Sequence, residues 1–277
     1  MATPLTDWVQ GQTGTRKWLS AVLLLAVFLL VDNLQGLLSR TAFYHALYQR
    51  YPFFVPESGR CVLQILLCLV AVRLFWAGRA STALRELGMA ASLPRGLLFG
   101  LVASSPMFVG FTLTMPFADL AHPLETLYLA GLSPLAEETL YRGLLCGLLW
   151  ARGGVPAWAA LVIQAALFGW AHVGQGDSLA ASAGLFALVG TGGLLYGWFF
   201  LRWQRNLWVP FFTHALMNLA WGLFEVSDNA FGGWYPFGLQ AASILLGIAF
   251  TMLWTGPISR PVDARTSGAP GSVRPTG

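Results

Sequence analysis

Leu135–Leu145 reads LAEETLYRGLL, two adjacent glutamates and an arginine inside a stretch that is otherwise apolar enough to enter a bilayer. The surrounding composition makes that placement meaningful. Of the 277 residues, 56% are hydrophobic and only 10% charged, with 12 Trp and 19 Phe. Soluble domains carry about 25% charged residues, and several apolar runs here approach the roughly 20 residues that cross a bilayer. The sequence predicts an all-α, polytopic membrane protein, a bundle of about eight transmembrane helices around a buried polar site. The first run, WLSAVLLLAVFLLV from Trp18, is too long for a signal peptide and lacks a small-residue cleavage site, so it reads as a retained helix.

Apolar runs between polar breaks place the eight helices near 18–38, 59–77, 95–117, 124–150, 157–174, 179–201, 207–224 and 234–255. With the N-terminus cytoplasmic, the inner segments hold 11 basic residues and the outer loops three, Arg40, Arg50 and Arg60. The positive-inside rule therefore puts both termini in the cytoplasm. The domain reading is a cytoplasmic segment over 1–17, a transmembrane domain over 18–256 with its core at about 120–225, and a disordered cytoplasmic tail over 257–277. The excess of arginine marks loops beside anionic lipid, so the partners expected are the lipid bilayer and a membrane-associated protein or peptide, with no nucleic acid. Arg outnumbers Lys by 15 to 1, which suggests a GC-rich genome and a bacterial inner membrane. Cys61, Cys68 and Cys146 fall in helices without metal-ligand spacing and read as packing residues.

An ionisable group within the hydrocarbon costs at least about 2.5–3.5 kcal/mol on insertion scales, so such groups pair, face the bundle interior or serve a function. Glu138 and Arg142 are one turn apart and can pair within their own helix. Glu137 points about 100° away and needs a partner elsewhere. Two other helices offer polar groups: FGWAH sets Phe168 and His172 one turn apart, and HALMN does the same for His214 and Asn218. At about 1.5 Å per residue from the cytoplasmic ends, Glu137, His172, His214 and Asn218 lie about 22, 21, 12 and 18 Å deep, close enough to share one layer. Asp32 lies at a similar depth and reads as a packing or helix-end residue. Gly193 and Gly197 form a GxxxG pair suited to close helix packing.

Taken in order, EETLYR, FGWAH and HALMN fit Glu-Glu-x-x-x-Arg, Phe-x-x-x-His and His-x-x-x-Asn, and with them the sequence resembles the CPBP family of intramembrane proteases, also called the CAAX protease and bacteriocin-processing or Abi family. The resemblance implies an endopeptidase that cleaves membrane-associated or lipidated proteins. It implies that Glu137 and His172 activate the attacking water, that His214 and Asn218 stabilise the oxyanion, and that Glu138, Arg142 and Phe168 give structural support. The family has been described both as glutamic proteases and as metalloproteases. No cofactor is required by the first mechanism; in the second, zinc or another divalent metal would sit on Glu137, His172 and His214.

Other chemistries find less support. There is no HExxH, and GQGD at Gly174–Asp177, the string of aspartyl intramembrane proteases, falls in a short loop and reads as a solvated turn. The rival class is a non-catalytic transporter or scaffold whose buried Glu, Arg and His form a polar network. A transporter should show related halves with matching broken helices, and the sequence shows no such pairing.

Overall fold

The computed structural model describes residues 14–118, 123–224, 226 and 233–258. Most of the 1–17 segment and nearly all of the 257–277 tail lie outside the described residues. Within them the structure is helical, with no strand beyond an isolated bridge between Phe117 and Phe224. In chain order the helices are α1 (Gly14–Asp32), α2 (Leu34–Leu38), α3 (Ala42–Arg50), α4 (Phe54–Val72, continued by a π-turn over Arg73–Ala77), α5 (Ala80–Glu86), α6 (Leu93–Thr114), the composite rod α7 (123–151), α8 (Ala157–Ala171), α9 (Leu179–Arg202), α10 (Trp208–Leu223) and α11 (Trp234–Trp254).

Every expected helix is present, with two short ones the periodicity did not show, α3 and α5. Among the described residues, five helices are long and apolar enough to cross a membrane: Phe54–Ala77, Leu93–Thr114, Ala157–Gln175, Leu179–Arg202 and Trp234–Trp254. The remaining three of the eight fall short for separate reasons. α1 carries Arg16, Lys17 and Asp32 at its two ends. α7 contains Glu125, Glu137, Glu138 and Arg142. α10 has 16 residues, about 24 Å of helix against a hydrocarbon core of about 30 Å. The first predicted run is also broken: α1 ends at Asp32, and Asn33 turns back to donate to the Leu29 carbonyl at 2.8 Å before α2 begins.

Exposed tryptophans stand near helix ends: Trp18 near the start of α1, Trp158 and Trp170 at the two ends of α8, and Trp234 and Trp254 at the two ends of α11. On α11 the pair Trp234 and Trp254 is 20 residues apart in sequence, about 30 Å, the spacing of the two interfaces where indole rings settle.

The rod α7 is the axis of the bundle. From Glu138 to Trp150 every residue is buried. Around it pack Leu24 and Phe28 of α1, Cys68 and Val72 of α4, Leu161 and Phe168 of α8, and Phe200 and Leu201 of α9. Glycines set the closest approaches. A Cβ on Gly96 or Gly100 of α6 would stand 2.4 or 2.7 Å from the Cβ of Trp208 or Phe212 of α10, so only glycine lets these helices meet. Gly197 serves the same end on α9, where a Cβ would meet Gln164 Nε2 at 2.7 Å, as the GxxxG reading expected. The three cysteines are buried and free.

Candidate functional site

The rod that carries the two glutamates is not a uniform α-helix. Tyr128–Leu132 and Glu138–Gly147 are π-helical, with a short α-turn, Ser133–Glu137, between them. Pro134 contributes to this irregularity, because it has no N–H to bond the carbonyl four residues back. π-turns widen a helix locally and recur at functional positions. Here the widening begins between Glu137 and Glu138. Gln64 of α4 supports the irregular backbone from outside, donating to the Ala136 carbonyl at 3.3 Å.

The adjacent glutamates enter different environments. Glu138 is fully buried and faces Arg142 at 3.2 Å (Nε to Oε2), as the one-turn spacing predicted. It also accepts from His214 Nδ1 at 2.9 Å through Oε1, a contact that joins α7 to α10. Glu137 is only partly buried, and Ser133 Oγ donates to it at 3.0 Å. Arg142 is completely enclosed. None of its three nitrogens has a hydrogen-bond partner among the described residues. Its charge is met by Glu138 and by two aromatic faces, Phe168 at 4.3 Å and Tyr196 at 5.5 Å from the guanidinium carbon. Phe168 is thus a cation–π partner of Arg142, a role that its sequence position did not disclose.

The histidines sit differently. His172 caps the C-terminal end of α8, with Nδ1 2.8 Å from the Phe168 carbonyl and its ring 4.8 Å from the Phe168 ring. A carbonyl only accepts, so Nδ1 carries the hydrogen and the neutral ring keeps a lone pair at Nε2. His214 lies mid-helix on α10, against Tyr196 at 5.5 Å. Its Nδ1 donates to a carboxylate, so a second donation from Nε2 requires the doubly protonated ring, for which Glu138 is the counter-ion. Asn218, one turn further along, is exposed and donates through Nδ2 to the Leu129 carbonyl at 3.2 Å, in the first π-turn of α7.

The three motifs therefore meet around one ion pair: Glu138 and Arg142 from the first, Phe168 from the second, His214 from the third. Among the described residues, no group of three or more His, Cys, Asp or Glu is arranged to hold a metal ion. Glu137, His172 and His214 are not drawn together as ligands; the Nδ1 of each ring is committed to a different partner. Among the described residues these side chains form no ready ligand set for a metal. Asp177 of the GQGD string is exposed in the turn between α8 and α9, as a solvated residue should be.

Two further polar contacts escaped the sequence reading. The Tyr141 hydroxyl donates to Asp32 at 2.6 Å, linking the rod to α1. Near the start of α4, Glu57 accepts from Tyr44 at 2.8 Å, from Tyr48, and from Arg60 Nε at 2.5 Å. Burial, reinforced by the Glu57 carboxylate, pushes both phenols above their ordinary values. No sequence spacing could have signalled the Tyr141–Asp32 contact, which spans 109 positions.

Compared with known protein families, residues 119–220 match the model described as type II CAAX prenyl endopeptidase Rce1-like. The match covers less than half of the chain and agrees with the CPBP resemblance carried by the three motifs. That segment contains Glu137, Glu138, Arg142, Phe168, His172, His214 and Asn218. The matched segment begins just before the rod α7 and ends within α10, so α1 to α6 and α11 lie outside the match. No curated protein and no solved structure matches the chain.

Proposed function

We propose that the protein is an intramembrane endopeptidase that hydrolyses a peptide bond in a membrane-associated or lipidated protein, with water as the nucleophile. Glu137 and His172 together take the proton from water and return it to the leaving amine; His214 and Asn218 donate to the tetrahedral oxyanion. The observation that carries this reading is the Glu138–His214 hydrogen bond, within the segment, residues 119–220, that matches the Rce1-like family model. It fastens the helix of the glutamates to the helix of the oxyanion donors. It also gives His214 the counter-ion that a donating, doubly protonated ring needs. His172, by contrast, keeps a lone pair at Nε2, which suits it to accept a proton. The family description points to a prenylated C-terminal segment as substrate, a lipid-anchored chain that reaches the site from the bilayer.

Glu137→Gln is the direct test, since the amide preserves shape and cannot accept the proton. A farnesylated peptide ending in a CAAX sequence, with a fluorophore and quencher flanking the bond, should be cleaved by the unaltered protein and not by the variant, whose fold should persist. Full activity of Glu137→Gln would sink the mechanism. The accompanying topology has eight crossings and cytoplasmic termini, in a bacterial inner membrane. Cysteines placed at 175–178 and at 203–206 should label from opposite faces; labelling from the same face would remove a crossing.

A further inference from the structure

Gln64 lies in the apolar run of α4, outside the matched segment, and its side chain is buried. A buried amide is costly unless both of its ends are hydrogen-bonded. Here both are: Arg60 Nη1 donates to Oε1 at 2.8 Å, and Nε2 donates to the Ala136 carbonyl of the rod α7 at 3.3 Å. A guanidinium only donates and a carbonyl only accepts, so the two partners fix which way the amide points. Arg60 is itself held by Glu57 at 2.5 Å, and Glu57 accepts from Tyr44 and Tyr48 of α3. Beside the contact, Cys61 of α4 packs with Ala136 and Tyr128 of the rod. A line of hydrogen bonds thus runs from α3 through α4 to one carbonyl of α7. That carbonyl lies in the peptide plane that ends on Glu137, so holding its oxygen orients the Glu137 Cα. It also stands just before the π-turn that opens at Glu138, and a side chain entering the backbone ladder is a cause of local helix distortion. The distortion falls where the two glutamates part, Glu138 toward Arg142 and His214, Glu137 toward Ser133 Oγ.

We propose that Gln64 is a positioning residue for Glu137: by holding the Ala136 carbonyl it fixes the backbone from which the Glu137 carboxylate reaches the attacking water, and Arg60 keeps its amide turned the right way. This inference rests on the endopeptidase reading above. It assigns a part in the reaction to α4, outside the matched segment. Gln64 touches neither the water nor the substrate in this arrangement and acts through the backbone of the rod.

Gln64→Met is the informative replacement, because it keeps the length of the side chain and removes the amide. With the farnesylated peptide it should lower kcat about tenfold, since misplacing a reacting group by about 1 Å can cost about 100-fold, and leave KM within about twofold. Gln64→Glu keeps an acceptor for Arg60 but turns an oxygen, in place of the donor, toward the Ala136 carbonyl. Its kcat should fall at least as far, and it carries the test if Gln64→Met folds poorly. A Gln64→Glu variant as active as the unaltered protein would reduce Gln64 to a partner of Arg60 and overturn the inference. Unchanged kcat in Gln64→Met, a loss confined to KM, or a loss in both variants that only follows the amount of folded protein overturns it as well. The two proposals fail separately: if Glu137→Gln is inactive and both Gln64 variants are fully active, only the Gln64 role falls. If the unaltered protein leaves the peptide intact, or Glu137→Gln still cleaves it, the endopeptidase reading falls and takes this one with it.

Discussion

The end of α8 and the middle of α10 each present a histidine whose Nδ1 is tied to an oxygen, and the difference between the two oxygens separates their chemistry. At His172 the acceptor is a neutral backbone carbonyl four residues back in its own helix. At His214 it is a carboxylate with no exposed surface, reached from another helix. The first contact fixes a tautomer and leaves Nε2 basic. The second commits Nδ1 to a carboxylate, so the ring can donate again only from Nε2 and only when doubly protonated. The proposed division of the two side chains into a base and a donor rests on that difference.

The most severe break in that comparison is at the ion pair beneath it. Arg142→Ala leaves Glu138 buried with only His214 for company, and losing one partner of a buried pair costs about 3–5 kcal/mol. Thermal unfolding in detergent should therefore fall sharply, or the variant should fail to accumulate. Normal stability with abolished turnover would instead place Arg142 in the chemistry.

The two histidines themselves come next. His172→Ala should cost on the order of 100- to 10,000-fold in kcat, the span of general acid–base catalysis, and His214→Ala about 100- to 1000-fold, the span of an oxyanion donor. Glu138→Gln sharpens the contrast: it should reproduce most of the His214 defect and leave an added His172→Ala fully felt. If Glu138→Gln instead merges with His172→Ala in a double-mutant cycle, the division of labour is wrong. The smallest effect expected is that of a chelator. Because no ligand triad is assembled around Glu137, His172 and His214, prolonged chelation should leave cleavage unchanged. Activity lost on chelation and regained only on adding zinc would overturn the metal-independent chemistry.

A second buried cluster shows what such residues do where no chemistry is asked of them. Glu86 of α5 meets Arg152 at 2.5 Å and Arg205 at 3.6 Å, joining the ends of α5, α7 and α9. Burial pulls the Arg205 guanidinium below its ordinary value. Arg205 also holds a left-handed backbone at φ 60°, beside Gly88 at φ 80°. This is again one acid with two basic partners, but here both are arginines and they tie loops together.

The helices were legible because bilayer burial demands long apolar runs, and the Glu138–Arg142 pair was legible because one helical turn brings residues four apart together. The same arithmetic placed Phe168 with His172 and His214 with Asn218. Spacing could not reveal the break at Asn33, or the π-turns that widen the rod. Both depend on backbone hydrogen bonds that several compositions can satisfy. Nor could it reveal the close approach of α6 to α10 at Gly96 and Gly100.

Sequence by itself determined which residues are ionisable within an apolar bundle, and their order on three helices, since both follow from local period and composition. Only the tertiary structure decided their partners. Glu138 could have been satisfied by Arg142 alone; it is the packing of α10 against the rod that delivers His214 to it. Asp32 and Tyr141 meet across 109 residues because α1 lies along the rod α7. A hydrogen bond between distant segments is fixed by how whole helices pack, and no spacing within either segment encodes it.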